Sequence, residues 1–239
     1  MAIRKLKLAA LRQWERLEAR ITAPGRLPPW RPLARRALAL AGKVTGLALL
    51  PFFVLVRGSV FLYAHRGAGP WLALLGGAGG TLVVVTGYAA WISHRLAGRV
   101  NVLALARRVA LPLVLAYCSY ALIYLSSGNA KSDQVRAYYG SLHPLLRVAL
   151  STWILVDADI VITDVARQRA DYAAMGMRPA DESLHYVQAD GYIHAVDLRT
   201  RGRSEVKNRL VQLYFWSVGL GTLRHVGTGD HLHVELRLR

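Results

Sequence analysis

The spacing of apolar residues changes twice along this chain. Over residues 1–36, Leu6, Ala10, Trp14, Leu17 and Ile21 fall at near-helical intervals among Arg12, Arg16 and Arg20. That pattern predicts a basic amphipathic helix lying on an anionic membrane leaflet. Pro24, Pro28, Pro29 and Pro32 end it and form a stiff connection. Periodicity then gives way to long apolar runs. Ala37 to Leu62 is interrupted by Lys43 and Arg57, whereas Gly69–Ser93 and Val109–Ser127 carry no charge. About 20 residues cross a bilayer as a helix, so residues 37–127 are expected to form about three transmembrane helices.

Beyond this region shorter periods return. A polar linker over Ser126–Asp133 opens the third region, residues 128–239. A helical pattern over Tyr138–Val156 places Leu146, Leu150, Trp153 and Ile154 on one face. Short apolar segments at Ile160–Thr163, Tyr192–Leu198, Thr222–Val226 and His231–Leu238 read as strands, and Asp171–Met177 reads as a short helix. Ser204 is a good N-cap for a helix to Val218, with Val206, Leu210, Leu213, Tyr214 and Ser217 on one stripe. The expected fold is transmembrane helices followed by an α+β domain, its sheet antiparallel because the last connection is short.

Charge refines the picture once it is located. The net charge of +17 suggests nucleic acid, but residues 1–126 hold 17 Lys/Arg against Glu15 and Glu18, while residues 127–239 hold 14 against 12 acidic residues. The basic excess belongs to the apolar half, so a lipid bilayer is the expected partner and nucleic acid is not. Basic residues are dense before the first span, sparse around His65-Arg66 and dense again at Arg95, Arg99, Arg107 and Arg108. By the positive-inside rule this sets the N-terminus in the cytoplasm and, after three crossings, the C-terminal domain outside. The N-terminal segment lacks the short basic region and small-residue cleavage pattern of a removable signal, and is expected to stay. Gly76 and Gly80 form a G-x-x-x-G pattern that would admit a neighbouring helix, a weak indication of a homodimer. Cys118, the single cysteine, excludes an internal disulfide.

The chemistry gathers near the C-terminus. On a strand, His231, His233 and Glu235 point to one side, and Leu232, Val234 and Leu236 to the other. Asp230 stands at the strand's entry, where its carboxylate could reach the histidine face. Upstream, His185 follows a turn-like stretch and Asp197 sits among apolar residues of its own strand. Zinc takes imidazole nitrogen and carboxylate oxygen, and a hydrolytic site keeps three protein ligands with one position open to water. His185, Asp197 and His233 can supply that set.

The order of a helix, a strand ending Thr163-Asp164-Val165-Ala166-Arg167, then Ser183-Leu184-His185, Ala195-Val196-Asp197, a helix and Asp230-His231-Leu232-His233 resembles the zinc D-alanyl-D-alanine metallopeptidases. That superfamily includes penicillin-insensitive murein endopeptidases and the Hedgehog signalling domain. The resemblance covers about half the chain, from His143 onward. It implies zinc on His185, Asp197 and His233, with Arg167 steadying a substrate carbonyl or carboxylate and Ser183 matching the serine of the S-x-H motif. The general base would be Asp230, three residues before the last ligand, or His231, two before it.

One spacing departs from the family. Its first histidine and aspartate are separated by six residues, as in S-x-H-x-x-G-x-A-x-D, whereas eleven lie between His185 and Asp197, with Ile193 in the glycine's place. Five residues around Gln188–Tyr192 must be looped out, which closure entropy permits. His194 then competes with His185 as a ligand, although on a strand it faces away from Asp197. The expectation is a zinc peptidase in the bacterial cytoplasmic membrane, acting outside it on D-amino-acid-containing stem peptides of peptidoglycan. The alternative is a noncatalytic zinc- or peptidoglycan-binding sensor on the same anchor.

Overall fold

The structure, a computed structural model, describes residues 14, 15, 18, 30–168, 171, 172, 176, 182–227 and 229–237. Apart from those few positions, the basic amphipathic segment before Trp30 and the predicted helix over Asp171–Met177 lie outside the described residues. Packing divides the chain inside its first long helix, into residues 1–48 and 49–239. In the first unit, residues 33–48 are exposed along that helix.

Three helices are long and apolar enough to cross a membrane: α1 (Trp30–Arg66), α2 (Pro70–Ala97) and the helix Val102–Ile123, α3. Pro70 stands in the first turn of α2, where its missing N–H is no loss, and Gly98 closes the helix at φ 64°. The third helix starts well before the charge-free run at Val109. Its start is set by Asn101, whose side chain accepts the Ala104 N–H, so Arg107 and Arg108 fall inside the helix, in a π-helical turn over Ala106–Ala110. Gly76, Gly77 and Gly80 serve a close approach within the chain. A Cβ at Gly77 would lie 2.1 Å from Ser59 Oγ, one at Gly76 2.2 Å from Leu62 Cδ1, and one at Gly80 3.1 Å from Val54 Cγ1.

Residues 49–239 pack as one unit that runs across the expected boundary at 127/128. Its centre is α5 (Pro144–Ile154), preceded by the short helix α4 (Asp133–Ala137). His143 caps α5, its Nδ1 accepting the Leu145 N–H at 3.2 Å, and every residue from Pro144 to Trp153 is buried. Such burial requires cover on all sides. The ends of the apolar helices supply part of it: Tyr117 Oη and Thr152 Oγ1 share a hydrogen bond of 2.7 Å, Arg147 donates to the Leu122 carbonyl at 2.8 Å, and Tyr139 donates to the Ala121 carbonyl at 2.7 Å.

The remaining cover comes from a four-stranded antiparallel sheet of order β1-β2-β4-β3 and from α6. The strands are β1 (Ile162–Asp164), β2 (Ala195–Arg199), β3 (Gly221–His225) and β4 (His231–Glu235). Val196, Leu198, Leu232 and Val234 form the buried face of the sheet. The helix α6 (Glu205–Ser217) begins at Ser204, whose side chain accepts the Lys207 N–H. Its buried residues are Asn208, Val211 and Phe215, whereas Val206, Leu210 and Leu213 of the predicted stripe are exposed. Two apolar faces exist on this helix, and the sequence pattern alone does not say which one meets the sheet.

Candidate metal centre

Register brings the candidate ligands together. Asp197 on β2 lies directly opposite His233 on β4, and the open face of the sheet carries both, with His231, Glu235 and His225 beside them. His185 comes over this face from the preceding loop. Its place is fixed by three contacts: the Arg167 N–H donates to its carbonyl at 3.1 Å, Ser183 Oγ accepts its N–H at 3.3 Å, and its ring Nδ1 meets the Val165 carbonyl at 2.8 Å. Ser183 in turn shares a hydrogen bond of 2.6 Å with the Tyr172 hydroxyl. Residues 188–192 are looped out between Val187 and Ile193, which pair with each other, and Gly191 at φ 82° makes the turn.

The ligand atoms converge. His233 Nδ1 lies 2.9 Å from Asp197 Oδ1 and 3.3 Å from His185 Nε2, and that Nε2 lies 3.4 Å from the same carboxylate oxygen. Four ligands at zinc bond lengths of about 2.0–2.1 Å stand about 3.3 Å apart, so these separations already suit the ion. A carbonyl only accepts, so His185 carries its proton on Nδ1 and turns Nε2 toward the centre. His233 meets a carboxylate at each ring nitrogen, Asp197 Oδ1 at 2.9 Å from Nδ1 and Glu235 Oε2 at 3.4 Å from Nε2. A metal ion bound there would take the place of the Nδ1 proton, and Glu235 would hold the proton on Nε2.

Burial alone would raise the Asp197 carboxyl, yet the imidazoles of His185 and His233 and the charge of Arg167 hold it far below the usual carboxylate range. Burial alone would lower His233, and Asp197 and Glu235 reverse that and raise it. Arg167 donates from Nη2 to Asp197 Oδ2 and from Nε to Asp164 Oδ2 at 2.5 Å, which leaves Oδ1 of Asp197 for the centre. Beside Arg167 opens a cleft of about 360 Å³, walled by Lys131, Gln134, Tyr138, Thr163 and Asp164.

The two candidate bases part company. His231 stays at the centre: its Nδ1 donates to the Gly229 carbonyl at 2.5 Å, so a bare Nε2 lies 3.6 Å from Asp197 Oδ2, and His225 stacks on it at 4.6 Å. Asp230 is placed on the other side of the sheet. It accepts from Thr200 Oγ1 at 2.7 Å and from Arg224 Nε and Nη2 at 2.7 and 2.9 Å, with no contact to the ligands. The reason is alternation: Asp230 is one residue from His231 and faces with Leu232. Hydrogen bonds from Arg224 and Thr200 lower its pKa to about 2.

His194 belongs to a second group with His143 and Asp190. Its Nε2 is 2.9 Å from Asp190 Oδ2, and its Nδ1 meets the Leu236 carbonyl at 3.3 Å. His143 Nδ1 is taken by the Leu145 N–H, so the atom it turns toward Asp190, at 3.7 Å, is a protonated Nε2. A proton in place of a lone pair makes this group the poorer metal site. Sequence reasoning gave Glu235 no role, although its alternation with His233 was the available signal. No known protein family, curated protein or solved structure matches the chain.

Proposed function

We propose that the protein is a membrane-anchored, zinc-dependent peptidase that hydrolyses D-amino-acid-containing peptides of the cell wall. The observation that carries the metal assignment is the convergence of His185 Nε2, Asp197 Oδ1 and His233 Nδ1, which lie 2.9 to 3.4 Å from one another. The peptide substrate rests on the motif order Thr163–Arg167, Ser183-Leu184-His185, Ala195-Val196-Asp197 and Asp230–His233. A zinc ion held by the three ligands would lower the pKa of a bound water and polarise the scissile carbonyl.

The chain's own residues do the rest. His231 Nε2, bare and turned toward the centre, takes the proton of the attacking water and returns it to the leaving amine. Arg167, anchored by Asp164 and Asp197, orients the substrate from the wall of the cleft. Ser183 and Val165 hold His185 at its angle, and Glu235 holds His233. Asp230 serves the sheet through Arg224 and takes no part in proton transfer. Charge distribution supports an N-terminus in the cytoplasm and a sheet outside, and on this reading a periplasm-active reporter fused after Arg239 should be active.

The direct test is metal analysis of the purified full chain, followed by mass spectrometry of muropeptides incubated with it. One bound zinc and loss of a stem-peptide residue, or scission of a cross-link, support the reading. Zinc with no cleavage of any muropeptide would leave the noncatalytic sensor in its place, and absence of zinc would remove both.

A further inference from the structure

We propose that α6 is an interfacial membrane helix, its outer apolar face immersed in lipid beside the three spans. The proposal rests on reading α1, α2 and α3 as spans and is independent of the zinc chemistry. Val206, Leu210, Leu213 and Trp216 recur at helical spacing on the side of α6 away from Val211 and Phe215, and are between 50% and 69% exposed. A helix apolar on two sides needs two apolar surroundings, and the sheet and α5 cover only one of them.

The position of the helix says what the other is. After Ser217 the chain turns at Gly219, φ 94°, where a Cβ would lie 2.5 Å from Arg57 Nη1 and 3.1 Å from Val60 Cγ1 of α1. Arg57 is nine residues short of the end of α1, about 13 Å down its axis at 1.5 Å per residue. Tyr214 donates to the Ala149 carbonyl at 3.0 Å and packs on Trp153 at 5.1 Å, next to Thr152, which bonds Tyr117 of α3. The C-terminal half of α6 thus ends against the wall of α1, on which Phe61 is also uncovered. Lipid chains that bathe α1 would then reach Leu213 and Trp216. Trp216 has the amphipathic ring that favours the headgroup boundary. The charged side chains of the helix are paired: Arg209 with Glu205 at 3.0 Å and Lys207 with Asp159 at 2.8 Å.

Spin labelling in lipid nanodiscs tests this on the full chain. With Cys118→Ser as background, single cysteines replace Leu210 or Leu213, and a control replaces Val226, an equally apolar residue 83% exposed at the far end of β3. Val226 is seven residues past Gly219, about 23 Å along an extended chain. The nitroxide at Leu210 and at Leu213 should collide more with oxygen than with a water-soluble nickel chelate, and the ratio should invert at Val226. Nickel access at Leu210 and Leu213 equal to that at Val226 would show a solvated face and overturn the proposal. Shielding from both reagents would mean a protein, such as a second copy, covers the stripe, and would overturn it equally. Two label sites guard against one of them perturbing the fold.

Discussion

Replacing Glu235 tests the metal centre at its most specific point. The carboxylate lies 3.4 Å from His233 Nε2, on the side of the ring away from Asp197. With a metal ion on Nδ1, its part would be to hold the proton on Nε2. Glu235→Gln retains an acceptor but removes the charge, and Glu235→Leu removes both. Outer-shell partners of metal-bound histidines are worth 10–100-fold in affinity, about 1.4–2.7 kcal/mol. We expect Gln near the lower end, because one amide orientation still accepts from Nε2, and Leu near the upper. Arg237, whose Nε lies 3.0 Å from Glu235 Oε1, is largely exposed, and Arg237→Ala should change affinity by less than about twofold, as for a surface pair. A second route reaches the same carboxylate. A Cβ at Gly221 would lie 2.6 Å from Glu235 Cγ, so Gly221→Ala should displace the side chain and weaken zinc in the direction of Glu235→Gln. Competition against a chromophoric chelator, with the full chain in detergent, measures all four variants. Parental affinity in Glu235→Leu would refute the assignment of Nδ1 as the ligand atom of His233.

Three further outcomes are expected. Alanine at His185, Asp197 or His233 should abolish stoichiometric zinc by metal analysis, since the site then lacks one of three ligands; His194→Ala should keep zinc while losing about 2–5 kcal/mol of stability, the range for emptying a buried site, read from denaturant midpoints. Steady-state hydrolysis should fall about 10²–10⁴-fold in His231→Ala, with zinc retained, and stay near parental in Asp230→Asn; the reverse ranking would return the base to Asp230. Burial, and then the neighbouring charge of His194, lower the pKa of His143 from 6.5 to about 3, so between those values the unfolded chain binds more protons. Its contribution is therefore complete above pH 6.5 and is lost as pH falls toward 3. Thermal unfolding should show this decline, and His143→Asn, which keeps an acceptor for the Leu145 N–H, should flatten it.

The sites that were legible in the sequence are those set by the strand period. Two-residue alternation puts His231, His233 and Glu235 on one face of their strand and turns His194 away from Asp197 on the other, whereas the pairing of Asp197 with His233 is a matter of register. The same rule, applied one residue further, would have turned Asp230 away, but a strand entry leaves its first carboxylate free to reach either side until Arg224 is seen to claim it. Helix periodicity was less informative. In α6 it finds the stripe of Val206, Leu210 and Leu213 but not its surroundings, because lipid and protein interior select the same side chains. The start of α3 was missed for a related reason: hydropathy locates charge-free residues, whereas the Asn101 cap decides where the helix begins. The tautomers of His185 and His143 depend on one carbonyl and one N–H distant or hidden in sequence, and no pattern reports them.

The seat of the sheet on the spans also governs where the protein can work. The residues that leave α3 are no tether: the Asn129 amide donates to the Ala158 and Ile160 carbonyls, both at 2.8 Å, and the Lys131 N–H to Ile162 at 2.9 Å. A flexible linker would let the sheet explore roughly 5–6 Å times the square root of its length. Here that radius collapses to almost nothing, and the histidines ride at a constant height over the bilayer. Encounter then depends on the other molecule's travel: a ligand that stays far from the bilayer is beyond reach, and one that diffuses along it passes the cleft repeatedly. Lengthening the chain after Ser127 with glycine and serine would exchange that fixed station for a roaming one.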